Sequence, residues 1–254
     1  RVNLIVSIFE KISYLKTWEI NVISNASTFF LLPGITSEIS RFYLLQNLSN
    51  LNKSQIFISL LYDRFCGAIA SLTITIIGAL LIFQKAYDIG ILLTLSIIIV
   101  FLLSFIYVFM NIGRVKYLIT LIPKIKSYAL IDKLISISDQ IEQKKLIFLF
   151  NIVISLLIQL GAVLIVFLIS YDLDNPIDIR MLIFLLPGLT MIIALPISFG
   201  GIGLRELVFA AGFSITQVSN EVSLIIGFNY SILLFFVVGV LFILNEIITY
   251  SINR

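Results

Sequence analysis

The chain has no histidine, one cysteine (Cys66) and one tryptophan, and only 12% of its 254 residues are charged. Without histidine it loses the commonest general base and metal ligand. A single cysteine rules out an internal disulfide framework. Zinc hydrolase, Ser-His-Asp triad and haem chemistries are therefore not expected, and no cofactor motif stands in their place. Acidic and basic residues nearly cancel at a formal charge of +3. The basic residues lie scattered in loops with no stripe, so nucleic acid is not an expected partner.

What is abundant is apolar. Hydrophobic residues make up 60% of the chain and mean hydropathy is +1.13, values that place it among polytopic helical membrane proteins. The expected fold is all-α, a single integral membrane domain over residues 1–254. Four runs are long enough to cross a bilayer: 65–83, about 89–112, 146–170 and 222 to about 250. Two more, 20–32 and 181–199, are short or interrupted and read as re-entrant or broken helices. The first ends in Pro33-Gly34; the second contains Pro187-Gly188 and ends in glycines. Residues 2–9 read as the tail of a longer span, so one or two N-terminal helices are expected outside the sequence.

Charge sets the expected topology. Residues 114–145 carry Arg114, Lys116, Lys124, Lys126, Lys133, Lys144 and Lys145 against Asp132, Asp139 and Glu142, which predicts a cytoplasmic segment. Within it, 115–141 has the mixed spacing of an amphipathic helix lying along the head groups. The loop 171–180 carries Asp172, Asp174 and Asp178 with one cation, Arg180, and is expected outside. Alternation then puts 84–88 outside and 41–64 inside. Multi-pass insertion in the plasma or inner membrane is the expectation.

Phe30-Leu-Leu-Pro-Gly-Ile-Thr36 and Phe184-Leu-Leu-Pro-Gly-Leu-Thr190 agree at six of seven positions. Interrupted apolar segments at matching places in two halves are a sequence pointer to a transporter site built from repeats.

Charged residues against apolar sequence fall in three clusters: Glu38 with Arg41, Asp63 with Arg64, and Arg205 with Glu206. Ionisable groups in a membrane interior cost about 2.5–3.5 kcal/mol even on lenient scales, so each needs a partner, a ligand or water. Glu38 and Arg41 can meet on one helix face, whereas the adjacent pairs point apart and must look elsewhere. Convergence is the economical expectation, with Arg205 facing Glu38 or Asp63 and Glu206 facing Arg41 or Arg64. Pro196, Ser198, Gly200, Gly201 and Gly203 precede the last cluster. Broken backbone there would offer amides to an anion, and Arg205 would add a fork suited to phosphate. Gln159, Asn229, Asn245 and Glu246 lie in or near spans and are explained by interhelical hydrogen bonds.

Taken together, PISFGGIGLRE (196–206), LLPGITSEISRFYLL (31–45) and SLLYDRFCG (59–67) resemble the transmembrane flippase region of lysylphosphatidylglycerol synthase proteins, the multiple peptide resistance factor family and its stand-alone relatives. The resemblance runs from Trp18 to about Tyr250. It implies about eight spans and movement of a phospholipid or a lipid-linked amine or sugar between leaflets. It also implies substrate contacts at Glu38, Arg41, Asp63, Arg64, Ser198, Gly200, Gly201, Gly203, Arg205 and Glu206. In that family glycines often follow the first Pro-Gly, and here Thr36 and Ser37 stand in their place. Relatives that make aminoacylated phosphatidylglycerol carry a soluble synthase domain, and a stand-alone member without aminoacyl transfer is the expectation here. Membrane lipids are thus the expected partners, with a homo-oligomer and a separate synthase or glycosyltransferase as further expectations. No G-x-x-x-x-G-K-[ST] motif occurs, so a lipid gradient, the membrane potential or protons would supply energy. Two rivals stay open. One is a membrane transferase using a lipid-linked phosphate donor, with Asp63 or Glu206 as general base; the other is an accessory subunit that transports nothing.

Overall fold

Long runs of leucine, isoleucine, valine and phenylalanine cannot leave backbone donors and acceptors unpaired in hydrocarbon, and the helix is the local solution. The computed structural model describes residues 1–28, 35–83, 144–193, 203–216 and 218–252, and what it describes is all-α. The helices are α1 (Val2–Val6), α2 (Tyr14–Ser27), α3 (Ile35–Leu48), α4 (Lys53–Phe83), α5 (Lys145–Asp172), α6 (Ile179–Ile193), α7 (Leu204–Phe213) and α8 (Asn220–Ile252). Of these, α4, α5 and α8 are long and apolar enough to span a membrane. At 28 to 33 residues each, they run about 42–50 Å, well beyond a hydrocarbon core of about 30 Å.

Start signals are local. Ser13 caps α2 by accepting the Lys16 amide. At α4, Gln55 reaches back to accept the Asn52 amide at 2.9 Å. At α7, the Glu206 carboxylate accepts the Gly203 amide at 2.6 Å. Each satisfies a donor that the first helical turn would otherwise leave orphaned. Gly203 sits at φ +84°, a conformation that side-chain-bearing residues avoid.

Two sequence expectations are corrected here. The fourth helix begins at Lys53 rather than at residue 65, so Asp63 and Arg64 lie inside α4, three turns from its start. Apolar period-breaking by Asn, Lys and Gln hid the first turns, yet α1, α2 and α3 give them a packing face: Ile56 and Leu60 are buried with Val2, Val6, Ile20 and Leu45. Within 41–64, the stretch expected inside, α3 runs to Leu48 and the turn to α4 falls at 49–52, in the polar run. Finally, α6 continues through Pro187-Gly188. Proline denies a hydrogen bond to the carbonyl of Ile183 four residues back. There α4 crosses closely: a Cβ on Gly78 would fall 2.6 Å from the Phe184 Cα. The spans and loops expected over 84–143, the amphipathic segment included, lie outside the described residues, as does the first copy of the Phe-Leu-Leu-Pro-Gly repeat up to Gly34.

The packing order nevertheless repeats. Short helices α2 and α3 precede long α4, and short helices α6 and α7 precede long α8. Within each set the short pair packs together; across sets α4 packs on α6 and α8 packs on α2. Two contacts fix a direction: Tyr62 meets Phe148 edge-on, and Ser71 accepts from Gln159 at 2.6 Å. Numbers rise together, so α4 and α5 run parallel. The Gln159 contact is the interhelical bond expected of it.

Candidate functional site

Polar residues on α2, α3 and α4 close around a cavity of about 570 Å³, lined by Asn21, Asn25, Ser37, Glu38, Arg41, Asp63 and Arg64, with Arg1 and Val2 at one side and Ile154 and Ile158 of α5 opposite. Glu38 lies in the first turn of α3, where the helix dipole favours an acid. One oxygen of its carboxylate joins two arginines, Arg41 at 3.1 Å and Arg64 at 2.8 Å. The Arg41 guanidinium also donates to Asn25 at 3.4 Å. Asp63 is taken by Arg1 in a forked pair, Nε to Oδ1 at 3.0 Å and Nη2 to Oδ2 at 2.9 Å. Among the described residues that line the cavity, three arginines stand with two acids. Arg41 is 9% exposed, and its Nε has no hydrogen-bond partner among the described residues. Such a donor is costly until an acceptor arrives.

The third cluster is elsewhere. Arg205 donates to Ser231 Oγ at 2.9 Å, and that hydroxyl donates to Glu206 Oε1 at 2.8 Å. Arg205 also lies over the Tyr230 ring, 5.6 Å from its centroid, within cation–π range. Adjacent residues that cannot touch each other are thus joined through one hydroxyl. Gly227, one turn before Ser231, makes this approach possible: a Cβ there would be 3.0 Å from the Glu206 Cα. Small residues at such spacing let membrane helices pack backbone to backbone.

The expected convergence is corrected accordingly. Glu38, Arg41 and Arg64 do come together, with Asp63 beside them, but Arg205 and Glu206 partner α8. Helix α5 serves as a ruler for the separation. Phe148, near its start, packs with Ile5, Ile58 and Tyr62. Val163 and Val166, near its end, pack with Ile177, Phe209, Phe213, Ile226 and Tyr230. The two charged sets lie at different levels along α5, the first beside Ile154 and Ile158 and the second beside the cluster of Val163 and Val166. Their placement still matches: Asp63 and Arg64 follow the start of α4 at the same interval as Tyr230 and Ser231 follow the start of α8. Gly203 is observed at the α7 cap; Ser198, Gly200 and Gly201 lie outside the described residues.

Sequence reasoning missed Arg1, Asn21, Asn25, Tyr230 and Ser231. Asn21 and Asn25, four apart in an apolar run, were a readable signal for a polar helix face. So was the Gly227-x-x-x-Ser231 spacing. Nothing local marks Arg1 as the partner of Asp63, since that pairing is made by the docking of α1 on α4.

Long apolar helices, short ones packed on them and ion pairs held between them define an all-α polytopic membrane protein with a charged cavity. The chain belongs to the lysylphosphatidylglycerol synthase TM region family, which it matches over residues 1–241. No curated protein and no solved structure matches it.

Proposed function

We propose that the protein is a lipid translocase of the plasma or inner membrane, with several passes, that carries a phosphate-bearing head group between leaflets through the cavity formed by α2, α3 and α4. The single observation that carries this reading is the buried Arg41, with an open Nε donor in a cavity where three arginines face two acids. An anionic oxygen entering there would complete the hydrogen bonding of Arg41. Glu38 and Asp63 hold the arginines in place while the cavity is empty and are available to a cationic group on the same lipid.

On this reading α3–α4 receives the head group at the cytoplasmic side. Arg205 and Glu206 form the counterpart station at the other, with Ser198, Gly200 and Gly201 as the further contacts proposed from the sequence. Rocking of the two halves would pass the head group along without exposing its charge to hydrocarbon.

The test is leaflet scrambling of head-group-labelled lipids in proteoliposomes, with folding checked for every variant. Arg41→Ala and Arg205→Ala should each slow movement about tenfold or more, the scale of one lost charge-assisted contact at ~1.5–3 kcal/mol. If folded wild type moves no anionic, zwitterionic or aminoacylated lipid, the translocase reading fails and the transferase or accessory reading replaces it.

A further inference from the structure

The cavity has an apolar neighbour. Between α3 and α4 runs a groove of about 320 Å³ lined by Glu38, Ile39, Phe42, Phe57, Leu60, Leu61 and Arg64. Five of these seven are apolar. The other two, Glu38 and Arg64, are the 2.8 Å ion pair that also lines the polar cavity. Phe42 and Leu60 belong to the packed core and form the floor. Ile39, Phe57 and Leu61 are 62%, 53% and 40% exposed and form outward-facing walls. Tyr43, four residues after Ile39, extends the same outer face of α3.

An apolar face on a membrane helix needs no explanation beyond bilayer contact. This groove differs because it ends on a charge pair, and the same pair opens on its other side to a polar chamber. Such a sequence of surfaces, apolar, then ionic, then polar, matches one molecule: an amphiphile with a hydrocarbon chain, a phosphate and a head group.

We infer that the α3–α4 groove is the acyl-chain site and lateral entry of the lipid, with the Glu38–Arg64 pair as the threshold its phosphate crosses. The inference rests on the lipid reading given above and deepens it by naming where the chain lies. Entry exchanges the Glu38 carboxylate for the lipid phosphate on Arg64, an exchange of one anion for another that leaves no arginine unpaired. Glu38 keeps Arg41 as its partner throughout. The chain meanwhile stays against Ile39, Phe57 and Leu61, in contact with bilayer.

The experiment uses the full chain in proteoliposomes containing a phospholipid with a diazirine midway along one acyl chain, and adducts are mapped by mass spectrometry. Adducts at Ile39, Phe42, Phe57 and Leu61 should exceed those on the exposed α8 face at Phe236 and Ile243 by about fivefold, a preference of ~1 kcal/mol. Leu61→Trp and Ile39→Trp, filling the groove from either wall, should each remove that excess, and Leu61→Met should keep it. Equal labelling of the groove and of the α8 face, unchanged by the tryptophans, overturns the inference, because that is ordinary bilayer contact. Enriched labelling without lipid movement by wild type supports the groove and removes the translocase reading. Movement without enrichment does the reverse.

Discussion

The two halves of the molecule hold their charges in different ways. In the first, Glu38 and Asp63 engage Arg41, Arg64 and Arg1 directly, and the ion pairs stand around an open chamber. In the second, Arg205 and Glu206 are bound through Ser231, with Arg205 over the Tyr230 ring and α7 pressed against Gly227. The same order of elements thus supports one set of ion pairs around a chamber and another joined through a hydroxyl. A carrier that exposes its site to one leaflet at a time requires such an asymmetry in any single state. The difference also assigns roles: ion pairs in a chamber can be exchanged for a ligand, whereas a hydroxyl bridge between neighbouring residues must be undone first.

The largest effect is expected at the chamber. Asp63→Ala leaves Arg1 facing the chamber without its acid, and removing one member of a buried pair costs about 3–5 kcal/mol. Thermal unfolding in lipid nanodiscs should show the loss. Gly227→Ala strikes the bridged set: the added methyl meets Glu206 backbone, which cannot move aside as a side chain can, so about 1–3 kcal/mol is expected. Gly161→Ala on α5 is its control, because among the described residues an added Cβ meets nothing within 4 Å there. A larger loss at Gly161 than at Gly227 would contradict the close approach of α7 to α8. Ser231→Ala removes the bridge and keeps both charges. It should cost about 1–2 kcal/mol, and if the bridge holds α7 in place, lipid movement should change more than stability does.

Much of this was legible in the sequence. Apolar run length gave α5 and α8 almost to the residue, and the clustering of opposite charges pointed to Glu38, Arg41, Asp63 and Arg64 before any contact was known. The start of α4 was hidden because Asn52, Lys53 and Gln55 look like loop residues, while the cap Gln55 makes at Asn52 turns them into a helix start. Continuity through Pro187 was hidden because proline's local rule does not include the packing of α4 at Gly78. The failed convergence of Arg205 with Glu38 has a third cause. Charge complementarity says which residues can pair, but only the packing of α4 on α6 and α8 on α2 decides which level of the bundle each one reaches.

The central claim is that the two charged sets face opposite leaflets, and the sidedness of the turns beside them tests it most directly. In a Cys66→Ser background, Asn52→Cys marks the turn between α3 and α4, and Ile215→Cys marks the turn between α7 and α8; both native residues are exposed. With a membrane-impermeant maleimide applied to intact cells, Ile215→Cys should react and Asn52→Cys should react only after the membrane is opened. Labelling of both from the same side would contradict the account.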